Sequence, residues 1–225
     1  MLSAINTPTY KLAKFLVPHF TPLTKNEYTV SDSFSFAEEI RNQDTQLFMA
    51  SLDVDSLFTN VPLNETIDIC VELFKDRDSV AGLGKTDFHQ LLSLAAKQSY
   101  FTFEDDIYII SPLGPSFANA FLCHHEKEWL QQCPSEFKPV YYRRYVDVVL
   151  FSSPLPLFQV YLNSKHQNIS FTTESEHDNQ LPFLDVFIRR DNGTFCTSVY
   201  RKPTFSGVYS NFYSFMPQLY KLNLI

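Results

Sequence analysis

The hydrophobic pattern along the chain alternates between strand-like runs and helical stripes. Leu47 to Val54 (LFMASLDV) is a short, largely apolar run that predicts a buried strand ending at an acidic residue. Pro62 and Asn64 then open a helix that carries Ile67, Cys70, Val71 and Phe74 on one face. Gly82 and Gly84 break the chain before a second helix over 86–98, on which Phe88, Leu91, Leu92 and Ala95 repeat the stripe. Residues 100–103 and 107–110 flank Glu104-Asp105-Asp106 as a hairpin. After Pro115 a third helix aligns Ala118, Phe121, Leu122, His125 and Trp129. Residues 140–145 and 148–151 surround a tight turn at Val146-Asp147, and 169–173 is a further strand. Residues 184–190 and 194–201 flank Asp191-Asn192-Gly193, the strongest hairpin signal in the sequence. Residues 1–46 read as an irregular arm with one helical piece over 35–41. Strands mixed with helices, without regular βαβ alternation, predict an α+β fold.

Composition adds a large aromatic complement, 22 Phe and 12 Tyr among 225 residues, which suits strands and broad packed surfaces. Four cysteines (Cys70, Cys123, Cys133, Cys196) stand far apart with no C-x-x-C pair, so reduced thiols fit better than a zinc site. Lys11, Lys14 and three prolines interrupt the apolar residues before position 25, and no run approaches a membrane span. An intracellular protein, nuclear or cytoplasmic, without membrane contact is expected. The net charge of -7 argues against strong binding of nucleic acid by the chain as a whole. That charge is uneven: from Asn192 to Ile225 there is no acidic residue, while Arg201, Lys202 and Lys221 remain.

Two acidic residues follow apolar runs, Asp53 in SLDVDSLFTNVP and Asp147 in YYRRYVDVVLF. Carboxylates at adjacent strand ends offer the oxygen ligands that magnesium prefers. Two such ions, roughly 3.5–4 Å apart, activate a hydroxyl and stabilise a leaving group. An Asp at a strand end is also a common turn former, and Phe58 reads equally as a core residue. There is no G-x-S-x-G, no H-E-x-x-H and no complete phosphate-binding loop.

The strings SLDVDSLFTNVPLNETI, SPLGPSFANAFLCHHEKEWLQQCP and YYRRYVDVVLF, in that order, closely resemble the reverse transcriptase of Penelope-like retroelements. The flanks, TPTYKLAKFLVPHFTPLTKNEYTVSDSFSFAEEI and FTTESEHDNQLPFLDVFIRRDNGTFCTSVYRKPTFSGVY, resemble that family as well. The resemblance implies a right-hand polymerase palm with partial fingers, an antiparallel sheet packed on helices, and an incomplete thumb. It divides the chain into an arm with partial fingers (1–46), the palm with fingers elements (47–190), and a hairpin strand leading toward a thumb (191–225). It implies an RNA-directed DNA polymerase acting on an RNA template, a DNA primer and dNTPs, with Mg2+ or Mn2+ as cofactor. Asp53 and Asp147 are then the catalytic metal ligands, assisted by the Val54 carbonyl. Phe58 is the gate under the incoming sugar, Ser111 and Pro112 belong to the nucleotide-supporting loop, and Arg201 and Lys202 meet the primer–template backbone.

The departures from the family are specific. The Tyr-x-Asp-Asp turn reads Tyr145-Val146-Asp147-Val148, so the second aspartate is valine. A polar, Gly-rich run that the family carries before Ser-Pro-Leu-Gly is missing, and Ile225 falls before a complete thumb. Loss of one electrostatic partner costs on the order of 10²–10³ in rate. These losses predict little or no polymerisation, and leave a non-catalytic remnant with at most weak nucleic-acid binding as the alternative to a working enzyme.

Overall fold

The computed structural model describes residues 7–43, 45–46, 48–74, 83–98, 100–103, 106–109, 111–145, 148–151, 155–204, 213 and 215, with the segments 100–103, 106–109 and 148–151 described in backbone only. The helices are α1 (Tyr10–Phe20), α2 (Ser33–Ile40), α3 (Leu57–Asn60), α4 (Leu63–Leu73), α5 (Lys85–Lys97), α6 (Gly114–Gln132) and α7 (Leu155–Asn163). The strands are β1 (Met49–Val54), β2 (Tyr100–Phe103), β3 (Asp106–Ile109), β4 (Tyr141–Arg144), β5 (Val148–Phe151), β6 (Phe171–Ser175), β7 (Gln180–Phe183), β8 (Val186–Asp191) and β9 (Thr194–Val199). The strands form an antiparallel sheet ordered β4-β5-β1-β6, the hairpin β2-β3, and the meander β7-β8-β9.

Alternation along β1 decides what each face of the main sheet meets. Ala50, Leu52 and Val54 point into a core shared with Phe121 and Leu122 of α6, Phe158 of α7 and Phe171 of β6. Met49 points the other way, into a second core with Phe36 of α2 and Leu181, Ile188 and Phe195 of the meander. Ser51 and Asp53 continue that second face toward its open end, and Asp53 is exposed. A third core gathers the helical stripes, with Leu16 and Phe20 of α1, Cys70 of α4, Phe88 and Leu92 of α5 and Phe117 of α6.

The expected helical and hairpin patterns correspond to α4, α5, α6, β2-β3 and β8-β9, each with boundaries shifted by no more than a few residues. Residues 10–20, expected to be irregular, form α1, whose buried Ala13, Leu16 and Phe20 follow helical spacing. Pro18 stands in its last turn, where a missing N–H removes one hydrogen bond without preventing the preceding turns. Helix α7 was likewise unexpected; Leu155, Phe158 and Leu162 are its buried stripe. The meander holds one more strand than predicted, because Leu184 and Asp185 form a two-residue turn between β7 and β8. Among the described residues, no helix is long and apolar enough to cross a membrane.

Candidate nucleic-acid cleft

The open end of the Asp53 face forms a cleft of about 510 Å³. Strand pairing aligns Asp53 with Thr172 and Ser51 with Glu174, so two carboxylates share this face across β1 and β6. Opposite them the β7-β8 turn contributes Leu184 and Asp185, and the chain after β9 contributes Tyr200 and Lys202. Leu184 (φ 55°) and Asp185 (φ 58°) are both left-handed, a conformation that a Leu side chain disfavours by about 1–2 kcal/mol. Three tethers hold it: Ser33 Oγ donates to the Leu184 carbonyl (2.9 Å), the Tyr200 amide donates to the Asp185 carbonyl (2.7 Å), and Leu184 packs on the second core. Tyr200 is also stacked on Phe187 at 5.9 Å, which fixes the approach of Lys202 to the cleft.

The residues expected to act together are only partly gathered. Asp53 and Lys202 line the same cleft, and Arg201 is exposed beside Lys202. Val54 is buried (4% exposed), with its side chain in the core shared with α6. Phe58, on the short α3, is 59% exposed rather than a core residue. It follows Ser56, whose left-handed φ of 48° turns the chain sharply after β1. Asn60 Nδ2 donates to the Asp55 carbonyl (3.0 Å) and closes that turn. Ser111 Oγ donates to the Ala95 carbonyl (3.1 Å) and accepts from the Leu113 amide (3.3 Å), stitching α5 to the start of α6. Val54, Phe58, Ser111 and Pro112 are not among the residues lining the cleft.

Asp147 lies outside the described residues, as does Val146. The strands on either side are described: Arg144 pairs with Val148, and Val148 pairs with Leu52, the residue before Asp53. An open carboxylate in a polar cleft is a hard oxygen donor of the kind magnesium takes. Among the described residues, however, no three His, Cys, Asp or Glu side chains are grouped to hold a metal ion. Position 148 carries valine, where the resemblance requires aspartate.

Among solved structures, the chain is similar to telomerase from Candida tropicalis in complex with a TWJ fragment of telomeric RNA, with a TM-score of 0.56 at 12% identity over 91% of this chain and 40% of that one. It is similar to the corresponding Candida albicans complex at a TM-score of 0.54 and 12% identity, over 82% of this chain and 37% of the other. Apo telomerase from Candida tropicalis, truncated from its C-terminal domain, gives 0.52 and 12% over 84% and 45%. The fold is reverse-transcriptase-like. Antiparallel sheets packed against helices carry that likeness, and the chain spans less than half the length of each of these structures. No family model matches the chain, and no curated protein matches it in sequence.

Asp185, Glu174 and Tyr200 are cleft residues that sequence reasoning missed. The signal for Asp185 is weak because Leu-Asp is an unusual pair for a two-residue hairpin, where Asn-Gly or Asp-Gly is usual. Residues 184–190 consequently read as one uninterrupted strand.

Proposed function

We propose that the chain is a reverse-transcriptase-derived domain without effective polymerase activity, a degenerate relative of the Penelope-like retroelement enzymes, that retains weak binding of nucleic acid. The observation that carries this reading is at position 148, on the strand paired with β1: the residue there is valine where the resemblance requires aspartate. A site that works by neutralising charge with two cations loses one of its anchoring carboxylates. Lys202 lines the cleft, and the exposed Arg201 next to it in the chain adds positive charge nearby for a phosphate backbone. The alternative of a working RNA-directed DNA polymerase draws its support from Asp53 in the cleft and the exposed ring of Phe58.

Primer extension on an RNA template with Mg2+ or Mn2+ and dNTPs separates the two readings. Incorporation equal to that of an Asp53→Ala control is expected; Asp53-dependent synthesis would establish the enzyme instead. Binding to an RNA–DNA hybrid at low salt is expected to be measurable and to weaken in Lys202→Ala. Absence of any low-salt binding would reject the nucleic-acid role as well.

A further inference from the structure

The chain carries a net charge of -7, yet its first 26 residues hold Lys11, Lys14 and Lys25 and no acidic residue. Two of these lysines lie on α1. Buried Ala13, Leu16 and Phe20 commit one side of that helix to the core it shares with α4, α5 and α6. Positions 11, 14, 15 and 18 recur at the spacing of the opposite side, so Lys11, Lys14, Phe15 and Pro18 form one exposed stripe. Among the described residues, neither lysine is paired with a carboxylate. In the same helical core, Asp68 and Glu72 of α4 are met by His89 (3.2 Å) and Lys85 (3.0 Å) of α5, and residues 114–123 of α6 carry no charge. Phe15 is 56% exposed, a ring left in water beside two cations. His19, one turn on, meets that ring edge-to-face at 5.4 Å and limits its rotation.

Lys11 neighbours both Lys14 and Phe15 across one turn, where Cβ atoms lie about 5–6 Å apart. With no acid between them the two ammonium groups repel, and an anionic ligand relieves that repulsion. An aromatic ring flanked by cations suits a ligand that has flat faces as well as negative charge. Single-stranded nucleic acid has both: its phosphates take ammonium groups, and each unpaired base offers a face to the ring. A duplex keeps its bases stacked on one another and gives Phe15 no face. A bilayer would take up the apolar side of an amphipathic helix, and that side of α1 is buried in the protein. We propose that the outer stripe of α1 is a docking surface for single-stranded nucleic acid, with Lys11 and Lys14 on phosphates and a base stacked on Phe15. None of the three lines the cleft beside Asp53, so this is a second contact surface. The inference rests on reading the chain as a nucleic-acid binder.

The test is fluorescence anisotropy of the full 225-residue chain at low salt, with labelled oligouridylate and, separately, a labelled RNA–DNA hybrid. The variants are Phe15→Ala, Phe15→Trp, the paired Lys11→Gln/Lys14→Gln, and Lys202→Ala. All four side chains are exposed, so thermal melts should match the wild type. Phe15→Ala should bind oligouridylate about 5-fold or more weakly, the loss of one base–ring stack, and leave hybrid binding unchanged. Phe15→Trp should keep the wild-type affinity. The paired lysine variant should flatten the plot of log oligouridylate affinity against log salt by about 1.4, because each neutralised phosphate of a single strand contributes about 0.7. Unchanged oligouridylate affinity in both α1 variants overturns the inference, and a loss in Lys202→Ala then keeps the cleft as the binding site. An equal loss of hybrid binding in Phe15→Ala also overturns it, since a stacked duplex has no base for the ring. Absence of binding to either nucleic acid removes the nucleic-acid reading, and the inference with it. Binding to vesicles of phosphatidylserine and phosphatidylcholine that the lysine variant loses, without oligouridylate binding, assigns the stripe to membranes and overturns the inference.

Discussion

Single residues divide into those whose role shows in sequence and those whose role depends on a partner far along the chain. Asp53 belongs to the first kind, because an acidic residue closing an apolar run interrupts strand alternation at a visible point. Arg144 belongs to the second. An arginine in YYRRY reads as a surface cation, and its burial follows only from Glu126, 18 positions earlier on another element. Burial works against the charge of Arg144, but Glu126, Cys123 and Tyr142 together outweigh it, so its pKa is raised. Burial likewise pushes the Tyr142 hydroxyl well above its ordinary pKa, with Glu126 reinforcing the shift. Glu126→Gln keeps the shape and removes the countercharge, leaving an unbalanced buried guanidinium. A loss of about 3–5 kcal/mol is expected from such a change, read as a lower urea midpoint at unchanged slope.

Elements built from a regular stripe were legible, since burial of α4, α5 and α6 repeats the spacing of their apolar residues. Those missed owe their form to context: α1 carries a proline in its last turn, and the β7-β8 turn is held left-handed by Ser33 and Tyr200. A connection between elements was equally invisible. Glu65 of α4 receives His125 of α6 (3.0 Å) on one oxygen and His166, beyond α7, on the other (3.1 Å). His166 Nδ1 accepts the Asn168 amide (3.2 Å), so its proton resides on Nε2, facing the carboxylate. Burial, then neighbouring His124, lowers the pKa of His125 despite the favourable pull of Glu65. Burial raises that of Glu65, but its bonds from His166 and His125 outweigh burial and the net shift is downward. Both folded values lie below the unfolded ones, so the unfolded chain takes up protons first and stability declines on acidification. The decline attributable to His125 starts as pH falls through about 6.5, and that of Glu65 as pH falls through about 4.5. Melting temperature measured from pH 8 to 4 should follow this course, and His125→Gln should flatten the segment between pH 7 and 5. An unchanged profile in that variant would remove His125 as the cause.

At the scale of the whole molecule, the net charge of -7 and the composition of the cleft point the same way. Asp53, Glu174 and Asp185 line it against Lys202, so a phosphate backbone entering there meets more like charge than opposite charge. The attraction that remains comes from Arg201 and Lys202, and release of counterions by two cations limits the salt dependence. A plot of log affinity for a duplex against log salt should be no steeper than about -2, because each neutralised phosphate contributes about -0.9. Divalent cations change the sign of the local effect. In most phosphate-binding proteins Mg2+ competes with lysine and arginine and weakens the complex. Here it also screens carboxylates that repel the ligand, so about millimolar Mg2+ should strengthen binding to an RNA–DNA hybrid at fixed ionic strength. Removing one carboxylate should do the same without metal: Asp53→Asn is expected to bind about 2- to 5-fold more tightly than the wild type in EDTA, the size of one unit-charge repulsion in a solvated cleft. Adding Mg2+ should then narrow the difference between the two proteins. Fluorescence anisotropy with a labelled hybrid, with and without Mg2+, measures all four affinities, and equal affinity of the two proteins in EDTA would place the nucleic acid away from Asp53.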